Sequence, residues 1–215
     1  RRIGEDISEK LHFRPAQFYK EQHVRGKWVC DQCDTLTQQA MPAYVIDKGI
    51  ASPELLSHVL VSKYADHLPL YRQRLIYQRA GIELSRSTLS DWIGRCGVEL
   101  EPLANALKEV VLQQRVIHAD ETPVTIMRMG ENEKKPKKGY VWAYATTQYN
   151  PVQAVIYDFQ DSRSGQHAAE FLKGWQGYLV CDDYSGYKAR FKSGQVIEVG
   201  CMAHARRKFH ELHVT

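Results

Sequence analysis

The sequence predicts an α+β chain in three parts: a zinc-ribbon-like remnant over residues 1–45, a helical region with helix-turn-helix order over 46–112, and a partial α/β core over 113–215. Three observations predict it. A Cys-x-x-Cys pair, Cys30 and Cys33, ends a stretch rich in aromatic and basic residues. Between Pro53 and Leu100 the apolar residues recur at helical spacing, and from Val116 the spacing changes to two.

Composition bounds what these parts can be. A chain of 215 residues, 43% hydrophobic, can bury a sizeable core and has room for more than one domain. No apolar stretch is long enough to span a bilayer, and the opening RRIGEDISEK lacks the apolar core of a signal peptide. A cytoplasmic location is the expectation, with no membrane partner. Lys and Arg outnumber Asp and Glu by 29 to 25, a net charge of +4 that leans toward a polyanionic partner. Five cysteines without framework spacing point to free thiols or metal ligands rather than disulfides. The chain opens on Arg1 and breaks off at HELHVT inside a helical pattern without a stop signal, as a piece of a longer chain would.

Arg14 to Asp34 reads as short strands ending in the Cys30–Cys33 knuckle. Such a pair supplies two of the four thiolate ligands of a structural zinc. His12 or His23 could complete the set, as could a pair before Arg1, and an unmetallated knuckle is the alternative. Next, PELLSHVLVSKYA starts with Ser52 as N-cap and Pro53 in the first turn, with Leu55, Leu56, Val59, Leu60 and Tyr64 on its packing side. LYRQRLIYQRAG after Pro69 makes a second helix closed by Gly81, and SRSTLSDWIGRCGVEL from Ser85 a third. Helix, glycine turn, helix is the helix-turn-helix order. In the third helix Arg86, Ser87, Thr88, Ser90 and Asp91 occupy the first turns, where base edges are read, while Leu89, Trp92 and Ile93 face the core. Arg72, Arg74, Arg79, Arg86 and Arg95 suit phosphate contacts. An ordinary helical hairpin would show the same periodicity.

From Val116, VIHADETPVTIM and YVWAYATT form two strands joined by the charged loop GENEKKPKKG, and AVIYDF makes a third. Ser164 to Trp175 reads as an amphipathic helix, followed by the strand YLVCD, a short helix near SGYKARF, the strand VIEVGC and the helix AHARRKFHEL. Three antiparallel strands, a crossover helix, a fourth strand, a helix and a fifth strand is the order of the ribonuclease H-like fold. In it the first and fourth strands lie side by side. Asp120 and Asp182 would then come close enough to share divalent metal, and two ions about 4 Å apart can activate an attacking oxygen and stabilise a leaving one. The alternatives are a turn carboxylate for Asp120, with Thr122 and Pro123, and a helix cap for Asp182 or Asp183. His204, Arg206, Arg207 and Lys208 form a basic cluster that could hold DNA phosphate or be a solvated face, and Lys134, Lys135, Lys137 and Lys138 pose the same choice. Cys96, Cys181 and Cys201 read as buried small apolar residues, and Trp142 and Trp175 as core.

Seven segments in order carry a more specific likeness: IGEDISEKL, RPAQFY with the Cys-x-x-Cys, LPLYRQ, LSRSTLSDW, HADETPV, GYLVCDDYSGY and CMAHARRKF. The chain resembles the bacterial insertion sequence 66 family of DDE transposases over nearly its whole length. The resemblance implies a zinc-finger-like module, a helix-turn-helix region and a ribonuclease H-like catalytic core that cuts and joins DNA ends. Asp120 corresponds to the first catalytic acid and Asp182 to the second, binding Mg²⁺ or Mn²⁺; Asp183 stands where the family tolerates other residues. Zn²⁺ at Cys30 and Cys33 is implied for the longer protein. The implied partners are double-stranded DNA (terminal repeats and target), further copies of the chain on that DNA, and accessory proteins of the same element, in the bacterial cytoplasm and nucleoid.

The family's third acid is a glutamate in an Asn-Asn-x-x-Glu-Arg segment downstream of AHARRKF, beyond this chain, and Glu211 does not correspond to it. The family's first pair of finger cysteines would lie before Arg1. Alone, the chain is therefore expected to show no more than residual strand cleavage, and a non-catalytic DNA-binding regulator is the alternative function.

Overall fold

The knuckle and the helices before Glu99 form one compact unit, residues 1–99, and the strand-rich remainder a second, residues 100–215. The computed structural model describes residues 10–11, 17–126, 136–192 and 194–214; the candidate ligand His12 and the loop lysines Lys134 and Lys135 lie outside the described residues.

In the first unit, β1 (Lys27–Val29) pairs antiparallel with β2 (Leu36–Gln38), and Cys30 and Cys33 sit in the turn between them. Three helices follow: α1 (Pro53–Tyr64), α2 (Leu70–Arg79) and α3 (Arg86–Leu112). Ser52 caps α1, its hydroxyl accepting the Leu55 N–H at 3.3 Å. Gly81 takes φ +80° in the turn after α2, the left-handed region that costs glycine nothing. Ser85 caps α3, accepting the Thr88 N–H at 2.9 Å. Leu56, Val59, Tyr77, Leu84, Leu89, Trp92 and Cys96 form the core, with Ile93 partly buried against it, but Tyr64 is exposed.

The third helix is longer than its sequence predicts. Instead of ending near Leu100 it runs 27 residues to Leu112, through Gly94, Gly97 and Pro102. Packing outweighs these poor helix formers: Val111 is fully buried in the core of the second unit, with Leu107 and Leu112 packed against it.

That second core lies under a five-stranded sheet. Its strands are β3 (Val116–Ile126), β4 (Lys137–Thr146), β5 (Val155–Gln160), β6 (Gly177–Cys181) and β7 (Val196–Gly200), in spatial order β5-β4-β3-β6-β7. The first three are antiparallel, and β6 and β7 add in parallel. The expected adjacency of the first and fourth strands of this sheet is present. Helix α4 (Gly165–Phe171) makes the crossover, the 3-10 turn Ser185–Tyr187 and α5 (Lys188–Phe191) lead to β7, and α6 (Met202–Val214) follows. Trp142, Tyr144, Phe171, Leu172, Trp175 and Tyr187 fill the covered side of the sheet, where the Tyr144 and Phe171 rings stack at 3.7 Å. Side chains alternate across a strand, so His118, Asp120, Tyr157 and Ile197 fall on the opposite side, and all four are exposed.

Candidate functional site

His118 of β3 pairs with Val180 of β6, and two residues further on stand Asp120, still within β3, and Asp182, just past the end of β6. Parallel neighbours run about 4.8 Å apart, so positions in step carry their side chains on one side of the sheet. The two aspartates are in step. Asp120 is not at a strand end, as the sequence suggests, but within the 11 residues of β3, which continue to Ile126 against β4 alone. Pro123, with no N–H to give a ladder, lies in that one-sided stretch. Asp182 directly follows β6.

Each carboxylate accepts one backbone hydrogen bond on Oδ1: Asp120 from the Glu121 N–H at 2.9 Å, Asp182 from the Tyr184 N–H at 3.0 Å. Asp182 thus accepts from two residues on in a turn rather than capping a helix, with lone pairs to spare for a cation. Asp183 does not share the site. Its Oδ1 lies 2.6 Å from Lys188 Nζ, which also holds Glu198 at 2.6 Å, and the Lys188 hydrogen bond pulls the Asp183 carboxyl below its ordinary range. Burial pushes the neighbouring Cys181 thiol up to about 12 and keeps it protonated.

Behind the pair, on the covered side, is a buried carboxylate. Glu121 follows Ile117 and Ala119 on the inward positions of β3, and its side chain is 1% exposed. Arg163 donates from Nε and Nη2 to Glu121 Oε1 at 2.9 and 2.5 Å, and the Tyr187 hydroxyl donates to Oε2 at 3.0 Å. Burial, then the Glu121 charge, raise the Tyr187 hydroxyl far above its ordinary range, so it remains a donor. Arg163 also lies 4.0 Å over the Tyr184 ring, and the Tyr184 hydroxyl donates to the Arg163 carbonyl. In HADETP alone Glu121 looks like a solvent-facing charge; the readable signal is its inward place in the period-two pattern.

Helix α6 starts beside this site, since the Cys201 N–H donates to the Cys181 carbonyl at 2.9 Å. Cys201 is only half-buried, whereas Cys96 and Cys181 are buried as expected. Arg206, Arg207 and Lys208 are exposed on α6. In the first unit Arg86, Ser87, Ser90 and Asp91 are exposed and Thr88 is half-buried. Asp91 is engaged by Arg95 at 2.9 Å, one helical turn on. Cys30 and Cys33 are exposed, and the Thr35 hydroxyl, 3.1 Å from Cys33 Sγ, leads the contacts that lower the Cys33 thiol pKa. His23 interacts instead with Glu21 and Tyr44.

A family model described as Transposase IS66 family matches residues 48–215, and one described as zinc-finger binding domain of transposase IS66 matches residues 1–34. The chain belongs to the IS66 transposase family. Among its relatives in Sinorhizobium fredii (strain NBRC 101917 / NGR234), the uncharacterized protein y4qI is 40% identical over 99% of this chain and 41% of its own length. The uncharacterized protein y4jD is 36% identical over 97% of this chain and 42% of its own length. The chain thus spans about two-fifths of the curated relatives it matches. Both acids lie in the IS66 transposase match and both knuckle cysteines in the IS66 zinc-finger match.

No group of three or more His, Cys, Asp or Glu side chains able to hold a metal occurs among the described residues. The donor chemistry of this IS66 family member still fits its expected ions. Mg²⁺ is commonly held by one or two carboxylates and keeps several waters, which suits Asp120 and Asp182. Two thiols on one tight turn, Cys30 and Cys33, match in number and type half of the donors that a tetrahedral zinc site uses.

Proposed function

We propose that the chain is the DNA-binding and core portion of an insertion-element transposase, whose longer protein cuts element ends and joins them to target DNA. The observation that carries the proposal is the register of β3 with β6, which brings Asp120 on β3 and Asp182, directly after β6, two residues beyond the His118–Val180 pair, toward the exposed side of the sheet. The strand order supports a ribonuclease H-like core. No described helix is long and apolar enough to cross a membrane, and the bacterial cytoplasm, where the DNA lies, is the proposed location.

Asp120 and Asp182 would hold Mg²⁺ or Mn²⁺. When bound, the metal supplies charge stabilisation at the attacking and leaving oxygens of an in-line phosphoryl transfer. The chain's own residues orient the partners. The backbone amides of Glu121 and Tyr184 fix one oxygen of each acid, and Arg206, Arg207 and Lys208, on the helix beside β6, hold DNA phosphate. In the first unit, Arg86, Ser87, Thr88, Ser90 and Asp91 at the start of α3 read base edges, while Arg72, Arg74, Arg79 and Arg95 contact phosphate. Asp91 also orients Arg95, which donates to its Oδ2. Cys30 and Cys33 supply half of a zinc site in the longer protein, which works as a homo-oligomer on the terminal repeats.

The test is a strand-cleavage and DNA-binding assay on the protein extended to the length of its relatives. Asp120→Asn keeps size but removes the charge that binds the cation, so Mg²⁺-dependent cleavage should vanish while affinity for element ends stays within about twofold. Arg86→Ala should weaken that affinity by about 1–3 kcal/mol and relax specificity at the base it reads. Active Asp120→Asn protein would contradict the assignment; binding without cleavage in the unmutated protein would favour a non-catalytic regulator.

A further inference from the structure

The described pairing of β3 with β6 ends at His118 and Val180, two residues short of the acids. Neither Asp120 nor Asp182 is therefore set by a ladder contact to the other's strand. A second connection closes the gap from the covered side of the sheet. Glu121, next in sequence to Asp120, is bound by Arg163 and by Tyr187. The Arg163 guanidinium lies over the ring of Tyr184, the Arg163 backbone carbonyl accepts the Tyr184 hydroxyl, and Tyr184 donates its own N–H to Asp182. The circuit meets each acid at a backbone amide, that of Glu121 at Asp120 and that of Tyr184 at Asp182, and is closed behind them by side chains that touch neither carboxylate. It is seated by close backbone approach, because a Cβ on Gly165, in the first turn of α4, would collide with the backbone of Gly186 in the 3-10 turn.

We propose that Glu121, Arg163, Tyr184 and Tyr187 are positioning residues that hold Asp120 and Asp182 at the spacing a shared divalent cation requires. The proposal rests on the metal-binding reading of the acid pair. Glu121 is buried between two donors, one charged, so its carboxylate position is fixed from two directions. Moving it would move the main chain of Asp120. The turn carrying Asp182 is fixed at Tyr184 and Tyr187 in the same way. Groups that orient metal ligands without touching the ion commonly govern affinity by about 10- to 100-fold.

The experiment compares the 215-residue chain with its Arg163→Met, Arg163→Lys and Tyr187→Phe variants. Two quantities are measured: Mn²⁺ affinity by electron paramagnetic resonance, and hydrogen exchange of the Glu121 and Tyr184 amides without metal. Tyr187→Phe deletes only the hydroxyl and keeps the buried ring, so it stays informative should Arg163→Met fail to fold. Expected are an Mn²⁺ dissociation constant raised about tenfold in Arg163→Met and Tyr187→Phe, faster exchange at both amides, and partial recovery in Arg163→Lys. Affinity and exchange within about twofold of the unmutated chain in both Arg163→Met and Tyr187→Phe would overturn the proposal. Asp120→Asn and Asp182→Asn controls separate the two failures. If neither lowers Mn²⁺ affinity, the metal reading falls, and unchanged amide exchange in the Arg163 and Tyr187 variants then removes the brace as well. If both lower it and those variants do not, the brace alone is wrong.

Discussion

Cys33 and Cys96 are the same side chain in opposite settings. The Thr35 hydroxyl, the Thr35 backbone and Cys30 lower the pKa of exposed Cys33, whereas burial, then Glu99, raise that of Cys96. The thiolate is the nucleophile and the metal ligand. A lowered pKa means Cys33 ionises at lower pH than a free thiol, so its alkylation by iodoacetamide should reach half-maximal rate below the ordinary range of about 8.5. Cys96 and Cys181 should stay unreactive until the chain unfolds, and Zn²⁺ should protect Cys33. Mass-resolved alkylation against pH checks this; Cys33 titrating at or above the ordinary range would contradict it. The pairing of residues is what the sequence shows least. Lys188 separates Asp183 from Asp182, and Arg163 answers Glu121 from 42 positions away.

At the scale of elements, the caps and breakers of α1 and α2 and the start of α3 are legible in Ser52, Gly81 and Ser85, because each acts within a few residues of itself. The run of α3 to Leu112 is not, since the burial of Val111 outweighs Gly94, Gly97 and Pro102. Gln73 is a similar case, a polar residue in LPLYRQ that local pattern places on any face. It is buried, donating to the carbonyls of Val59 and Leu68 at 3.2 and 3.0 Å and accepting the Tyr77 hydroxyl at 3.1 Å. It binds α1, the loop after it and α2 into one packed piece. Gln73→Leu keeps the volume but leaves the Leu68 carbonyl and the Tyr77 hydroxyl without that partner, while the Val59 carbonyl keeps its bond within α1. Each buried orphan costs about 1–3 kcal/mol, so urea denaturation should show the first unit destabilised by at least about 2 kcal/mol. Stability within about 0.5 kcal/mol of the unmutated chain would mean that Gln73 does not bind these elements together.

Across the whole molecule, the strand order is legible in the change of period at Val116 and the single crossover helix, because the spacing of side chains along a strand is a backbone property. The family is legible too, in seven short segments spread over most of the chain. What sequence leaves open is how Asp120 and Asp182 are placed relative to one another, which depends on the register between β3 and β6. A slip of one residue on either strand would send one acid to the covered side. The central claim is that the two acids face one cation, and manganese anomalous diffraction from crystals of the chain soaked in Mn²⁺ tests it most directly. The account predicts a peak between the Asp120 and Asp182 carboxylates, weaker than a full site because only two protein acids hold it. Carboxylates more than about 10 Å apart, too far for any two-metal geometry, or a peak bound elsewhere with none between them, would contradict it.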